Sequence, residues 1–347
     1  MKKSLLALAV LGAFTSVASA QSSVTLYGRL DLSVNKGVGT ANKGISNGSG
    51  SRFGVRGSED LGGGLSALFN LEHRFDADTG ASQNFCLTPT AATTPAPAGA
   101  CGVANRFWGG RSVVGLKGNF GQVLLGREYT TAFLGSQLIA DPWGWDTVAS
   151  GSVGAGLNQA LTGGQIARVR NDSSVTYNFA TGGFRFGAQI AEATDAINSF
   201  AKKPFNFSAG YSAGPIAVAM GYEKTGQVGT VAAGSPAAVW TTLNGTYDLG
   251  VVKLGALYGT GTTTANAKNK STMVTLTAPM GQGEFRASFG KLTSKSTAGV
   301  STDAAKGWAV GYHYSLSKRT TLYGDYVRNT ASAIEKAGYD VGIKHNF

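Results

Sequence analysis

Residues 24–35 read Val-Thr-Leu-Tyr-Gly-Arg-Leu-Asp-Leu-Ser-Val-Asn, and the spacing of their apolar members decides the fold. Val24, Leu26, Gly28, Leu30, Leu32 and Val34 hold one parity, while Thr25, Tyr27, Arg29, Asp31, Ser33 and Asn35 hold the other. Successive side chains of an extended chain point to opposite faces, so this stretch is a strand with one apolar and one hydrophilic side. The same period returns downstream. Phe184, Phe186, Ala188 and Ile190 interleave with Arg185, Gly187 and Gln189; Phe205, Phe207, Ala209 and Tyr211 with Asn206, Ser208 and Gly210; Trp308, Val310, Tyr312 and Tyr314 with Ala309, Gly311 and His313. Tyr339, Val341, Ile343, His345 and Phe347 alternate with Asp340, Gly342, Lys344 and Asn346 up to the last residue. Beyond residue 20 no sustained helical period appears, and the expected class is all-β.

Between the strands lie tight turn signals rich in Gly, Pro and Asp: Gly57–Gly64, Gly118–Gly121, Ala180–Gly183, Ala213–Pro215, Asp248–Gly250, Pro279–Gly283 and Leu316–Thr320. Seven short turns imply eight hairpins and about 16 strands, the size at which a closed barrel keeps an aqueous channel. The later turns recur roughly every 31–37 residues, which accommodates two ~10-residue strands and one longer loop. Short turns at one end and long loops at the other define a transmembrane antiparallel β-barrel. Aromatic residues near strand ends, such as Tyr177, Phe179, Phe184, Phe186, Tyr312 and Tyr314, fit an interfacial girdle.

The composition agrees. Charged residues are 14%, mean hydropathy is −0.01, and the chain holds 51 Gly against 8 Pro. Low charge with near-zero hydropathy is what alternation between a lipid-facing and a water-facing side produces. Met1-Lys2-Lys3, the apolar run Leu5–Phe14 and Ala18-Ser19-Ala20 form the n-region, h-region and cleavage site of a signal peptide, residues 1–20. Residues 21–347 are then the exported barrel. Removing Lys2 and Lys3 from 30 basic residues leaves 28 against 19 acidic ones, a formal +9. In an exported chain, Cys86 and Cys101, flanking the Thr/Ala/Pro tract Leu87–Ala100, read as a disulfide stapling a surface loop, contributing about 3 kcal/mol.

Five dispersed stretches resemble the general porins of Gram-negative bacteria, particularly the β-proteobacterial branch: Ser22–Gly28, Ser51–Gly62, Leu125–Thr130, Tyr314–Thr320 and Val341–Phe347. They span the mature chain in order. The resemblance implies a homotrimer of 16-stranded barrels in the outer membrane, among lipid and lipopolysaccharide, with Phe347 as part of the signal read by the barrel-assembly machinery. It also implies a third external loop, here about Thr131 to Ala167, folded into each lumen. That loop carries two charges, Asp141 and Asp146. In the family, loop acids face an arginine ladder, and the arginines matched by motif are Arg52, Arg127 and Arg170. Two departures stand out. The segment holding Cys86 and Cys101 is long for the second loop, and Arg127 shares parity with apolar Val123 and Leu125, which calls for a bulge near Gly126 or a place beyond the lipid-facing part of the strand.

Parity assigns Arg29, Arg52, Arg56, Arg74, Arg111, Lys117, Arg168, Arg170, Arg185, Lys253, Arg286 and Lys344 to the hydrophilic face. Asp31, Glu72, Asp76, Asp172, Asp325 and Asp340 join them, so the lumen is expected to be net positive and to favour small anions among hydrophilic solutes. Basic residues scattered singly along strands do not make a nucleic-acid patch. Catalysis finds no support: Gly110–Gly115 starts like a phosphate loop, but Leu116 stands where Lys must follow. His73, His313 and His345 sit on separate strands, and neither a metal site nor a cofactor is expected. A substrate-specific channel of the same fold is the alternative, and a secreted β-rich adhesin a more distant one.

Overall fold

The computed structural model describes residues 23–82, 107–151, 156–192, 203–225 and 236–347. The expected signal peptide, Cys86 and Cys101 lie outside the described residues. Sixteen long strands are formed: β1 (Ser23–Lys36), β2 (Ser51–Gly62), β3 (Leu65–Asp76), β4 (Arg111–Gly118), β5 (Gly121–Tyr129), β6 (Arg170–Thr181), β7 (Phe184–Ala191) and β8 (Phe205–Ala213) make the first half. The second half comprises β9 (Ile216–Lys224), β10 (Val239–Asp248), β11 (Lys253–Thr262), β12 (Lys268–Met280), β13 (Gly283–Lys295), β14 (Ser301–Ser315), β15 (Thr320–Asn329) and β16 (Ala337–Asn346). Two short pieces, Lys43–Asn47 and Ala81–Ser82, extend the pairing of β1 and β3. Every neighbour is antiparallel, and β1 pairs with β16, placing Leu32 opposite Ile343 and Val34 opposite Val341. Gly28 and Phe347 exchange backbone hydrogen bonds at 3.0 and 3.1 Å, carrying the seam to the last residue.

The two faces are inverted relative to a water-soluble protein. On β1, Val24 is 70% and Val34 57% exposed, while Asp31 and Ser33 are 1% and 2% exposed. The exposed apolar face continues through Val175, Ile190, Leu243, Val274 and Phe289, and the buried polar face through Thr176, Gln189, Asn206, Asn244 and Ser288. Apolar residues remain outside because the surrounding solvent is hydrocarbon; polar ones face inward, where hydrogen bonds and water satisfy them. Tyr177 and Tyr312 stand on the outer face at the short-turn end and donate to the carbonyl oxygens of Phe120 and Met280 at 2.6 and 2.7 Å. Those phenols suit a boundary with one apolar side and one wet side.

All seven turns fall where Gly, Pro and Asp placed them, with one correction at the first. Gly57–Leu61 continues β2, pairing with Ser23, Val24 and the start of β3, and the reversal narrows to Gly63-Gly64, both at positive φ. The polar content of Ser58-Glu59-Asp60 imitates a turn but lies in a paired strand. At Gly126 the expected bulge is present: the β5–β6 register shifts between Gly126 and Glu128, and Gly126 has φ +124°. The irregularity frees Arg127 from lipid-facing parity, so its guanidinium reaches Asp172.

The connection from β5 to β6 is not an outer loop of the ordinary kind. It holds a π-helical turn, Phe133–Gln137, a single helical turn α1 (Thr147–Ser150) and α2 (Leu157–Gly163). Its groups bond to the polar side of the wall. Thr131 donates to Asn206 Oδ1, Ser136 Oγ shares a hydrogen bond with Thr242 Oγ1 at 2.8 Å, Trp143 Nε1 donates to Asp325 Oδ1 at 2.7 Å and Val148 N to Asp340 Oδ2 at 2.8 Å. Beside these bonds sits an apolar cluster in which Trp143, Val148, Leu157 and Leu161 pack on Trp240, Leu257, Met273, Leu292 and Val327. Those last five occupy inward parity, against the general rule for this barrel, and give the segment a dry seat.

A Cβ at Gly126 would lie 2.1 Å from the Ser112 carbonyl oxygen, at a φ side chains rarely adopt. Gly126→Ala is therefore expected to cost about 1–3 kcal/mol. The variant should convert from the compact to the unfolded electrophoretic form at a lower temperature than the wild type; an unchanged conversion temperature would show that the bulge is not needed.

Candidate functional site

Strand register brings three arginines into one row. Arg29 on β1 lies directly opposite Arg52 on β2, and Arg52 directly opposite Arg74 on β3. Neighbouring strands run about 4.8 Å apart, so three cationic stems leave the wall at adjacent positions. Like charges facing across a ladder destabilise a sheet, and nothing in folding favours such a row. Further along the wall Arg111 lies opposite Glu72, and Arg170 opposite Tyr129.

Carboxylates compensate the ends of this array. Arg29 meets Asp146 of the β5–β6 segment at 3.2 Å and also donates to Asn346 and Ser49. Arg74 pairs with Glu72 at 2.8 Å, Arg127 with Asp172 at 2.6 Å, and Arg111 grips Glu128 through two nitrogens. Arg52 donates to the Gly50 carbonyl oxygen at 2.9 Å and, among the described residues, has no carboxylate within ion-pair distance. It lies between Arg29 and Arg74 and supplies the least neutralised charge of the row.

Tyr129, which the sequence reading passed over, organises the middle of the wall. Its hydroxyl oxygen accepts from Arg74 Nη2 at 2.5 Å and from Arg170 Nη2 at 2.6 Å. The Arg170 guanidinium lies over the Tyr129 ring at 4.1 Å, and the ring stacks at 5.7 Å on Phe133 of the π-helical turn. Phe133 in turn meets Trp145 edge-on at 4.8 Å. Arginines from β3 and β6 are thus held at a fixed spacing by one phenol connected to the β5–β6 segment. The strand-end position of Tyr129, beside the parity break at Gly126, hid this role.

The remaining expected residues divide. Asp146 faces the arginine row, whereas Asp141 is turned into its own segment, accepting from Trp143 N, Trp145 N, Ser150 Oγ and Asn158 Nδ2. Burial holds the Asp141 carboxyl above the usual carboxylate range, while those hydrogen bonds favour its ionised form. Asp31 is fully used by Ser49 Oγ at 2.5 Å and Tyr323 OH at 2.6 Å, a structural role beneath Arg29. Arg56 lies four residues toward the short turns from Arg52, over the Tyr27 ring at 5.1 Å. Arg168 gives its backbone N–H to Glu223 at 2.9 Å, and burial pulls its guanidinium below the ordinary value. Below Tyr129 toward the short turns, a cavity of about 750 Å³ touches Arg111, Lys117 and Arg185; an adjoining one of about 310 Å³ touches Arg56 and shares Arg111.

A closed antiparallel barrel with an apolar outside and a polar, arginine-rich inside defines a protein that spans an outer membrane and carries water through it. The family described as Gram-negative porin matches residues 7–333, and the chain belongs to that family. It is 30% identical to an outer membrane porin protein of Bordetella pertussis over 416 residues, covering 100% of both chains. It is 31% identical to outer membrane porin protein 32 of Delftia acidovorans, again over 100% of both. Among solved structures, the anion-selective porin from Comamonas acidovorans superposes with a TM-score of 0.67 at 27% identity, over 94% of this chain and 100% of that one. The chain is an outer-membrane porin.

Tyr129→Phe keeps the ring beneath Arg170 but removes the shared acceptor. Arg74 and Arg170 then lose one charge-assisted contact each, worth about 1.5–3 kcal/mol. The barrel should still form, with single-channel current noise raised and the anion-to-cation permeability ratio altered. Unaltered noise and selectivity would show that the hydroxyl does not position the arginines.

Proposed function

We propose that the chain forms a general diffusion pore that prefers anions. Its constriction lies between the arginine wall of β1–β6 and the inner segment 131–167 seated on β8–β16. The observation that carries this reading is the direct cross-strand row of Arg29, Arg52 and Arg74, with Arg170 clamped beside it. Two unit charges about 4 Å apart interact by ~1 kcal/mol in bulk water and ~4 kcal/mol at an effective dielectric of 20. Even the lower figure changes a permeability ratio several-fold, and a narrow low-dielectric throat focuses the field. Similarity to a structure described as an anion-selective porin supports the same direction. The cavities below the row then serve as a vestibule, with Arg56, Arg111, Lys117 and Arg185 extending the positive path.

The test is the reversal potential of single channels in a salt gradient. Replacing Arg52, Arg127 and Arg170 together by Gln should reduce the anion-to-cation permeability ratio several-fold while the barrel remains folded. High salt should shrink the difference through screening. A wild-type channel that prefers cations at low salt, or a triple variant with full anion preference, overturns the assignment.

The same reading makes the molecule a homotrimer, exported by residues 1–20 and inserted through the strand that ends at Phe347, in contact with lipid and lipopolysaccharide. Support for the oligomer comes from the outer face of β2 and β3, where Phe53, His73 and Phe75 gather with Phe107 and Trp108. His73 is 5% exposed there, stacked on Phe107 at 4.3 Å and hydrogen-bonded to the Phe107 carbonyl oxygen, so the cluster offers a preformed aromatic face to a neighbouring protomer. Unheated protein in mild detergent should migrate as a compact oligomer that heating converts to a slower monomer; a monomeric compact species would rule the trimer out.

A further inference from the structure

Below the arginine row, the polar side of β4–β7 carries a recess that reaches down to the short turns. Its cavity of about 750 Å³ is bounded by Lys117, Gln122, Asn178 and Arg185 on four successive strands, with Leu134 of the π-helical turn at its upper side. Register sets three of these polar groups in one line. Lys117 lies directly opposite Gln122, Gln122 opposite Asn178, and Asn178 opposite Gly187. Arg185 stands two residues from Gly187 toward the turn and marks the far end. Gly187 puts no side chain into the line, and Thr131 comes down onto it: a Cβ there would stand 2.8 Å from Thr131 Cβ. The β5–β6 segment thus bounds the recess from above.

The groups along this line are unspent. Among the described residues the side chains of Lys117, Gln122 and Asn178 make no hydrogen bond or ion pair, and Arg185 donates only to Ser212 Oγ, at 3.3 Å. Other amides on the polar side of the neighbouring strands are committed to the wall. Asn171 and Asn206 both donate to Gln189 at 2.9 Å, and Gln189 donates to Thr176 and to the Tyr129 carbonyl oxygen. Those three amides are buried, whereas Gln122 and Asn178 are half-buried and face the cavity. At the upper end Arg111 grips Glu128, so that pair brings no net charge. The recess therefore combines positive charge at its lower end, two neutral groups able both to donate and to accept, and an apolar side chain, Leu134, that is 48% exposed.

We infer that this recess binds sugar acids, monosaccharide-sized carboxylates with a hydroxylated carbon chain. Lys117 takes the carboxylate, Arg185 adds to the local positive potential, and Gln122 and Asn178 take hydroxyl groups. An amide offers two N–H donors and an acceptor oxygen, and a hydroxyl is both donor and acceptor, so the two match on both counts. Chloride only accepts, and it leaves the amide oxygens unused. Neighbouring strands run about 4.8 Å apart, which puts Gln122 and Asn178 within reach of hydroxyls on one short carbon chain. Leu134 meets the C–H side of that chain. Charge alone would attract any anion; the amides select among anions by what else they carry. The inference rests on the proposed anion-preferring pore and names a solute class for it.

The test uses the full chain in planar bilayers and reads block of the single-channel chloride current at constant ionic strength. The probes are gluconate, hexanoate, which has the same carbon count and carboxylate without the hydroxyls, and sorbitol, which has hydroxyls without the charge. Gluconate should half-block the wild type at a concentration about tenfold below that for hexanoate, two amide–hydroxyl contacts contributing a few-fold each. Sorbitol should not block over the same range. Gln122→Ala combined with Asn178→Ala should abolish the preference for gluconate over hexanoate, and Lys117→Gln should weaken block by both acids several-fold. If a variant fails to insert, the wild-type comparison decides. Equal block by gluconate and hexanoate, block by sorbitol as strong as by gluconate, or a gluconate preference that survives in the amide variant overturns the inference. The reversal potential of the same channels in a potassium chloride gradient tests the pore reading separately. A cation-preferring wild type overturns that reading and this inference with it, whereas an anion-preferring one that treats the two acids alike overturns this inference alone.

Discussion

Everything in this molecule follows from the need to pair every backbone N–H and C=O inside a solvent that offers no hydrogen bonds. A sheet satisfies that need only if it has no edge, and here the edge is removed where β1 meets β16 and Gly28 exchanges both bonds with Phe347. The seam is close: a Cβ at Gly28 would stand 2.2 Å from the Phe347 ring, so the glycine makes room for the terminal aromatic. Closure then dictates the side chains. The outer parity must dissolve in hydrocarbon and the inner parity in water or in other polar groups, which is why Asp31, Asn206 and Ser288 are buried while Val24, Ile190 and Phe289 are bare.

A barrel of sixteen strands is too wide for its own side chains to fill, and the β5–β6 segment is bonded to the polar side of its wall. It is seated by two kinds of force. Hydrogen bonds to Asn206, Thr242, Asp325 and Asp340 fix its register, and the apolar contacts of Leu157 and Leu161 with Leu257, Met273 and Leu292 supply the burial that holds it in place. The result is a division of the wall. Strands β8–β16 spend their inner face on the segment, and β1–β6 keep theirs for arginines.

The sequence displays the first of these features and conceals the second. Alternation and turns are local, so sixteen strands, their faces and even the parity break at Arg127 are readable from residues within one strand. Leu257, Met273 and Leu292 sit on the inward parity of Gly-rich strands, where a short apolar residue looks like a lapse in the pattern; only the cross-barrel contact with Leu161 explains them. Asp141 fails for a similar reason. Its neighbours Trp143 and Trp145 and the distant Asn158 fold around it, and spacing alone does not distinguish an acid that faces the lumen from one that ties a loop together. Tyr129 escaped because its partners, Arg74 and Arg170, lie 55 and 41 residues away.

The distribution of acids among the arginines carries the last step. Neutralising every member of the row would remove both the repulsion and the field, and neutralising none would strain the sheet. The wall does neither. Glu72, Asp146 and Asp172 are set against Arg74, Arg29 and Arg127, at the sides of the array, and the central Arg52 receives only a backbone carbonyl oxygen. Tyr129 adds hydrogen-bond acceptance and a π-face without adding a full negative charge, so it can hold Arg74 and Arg170 side by side and leave their field in place. On the proposed reading, an ion approaching the row meets cations that the protein has fixed in position but only partly discharged, and the partial neutralisation keeps the attraction weak enough for a passing anion to leave again.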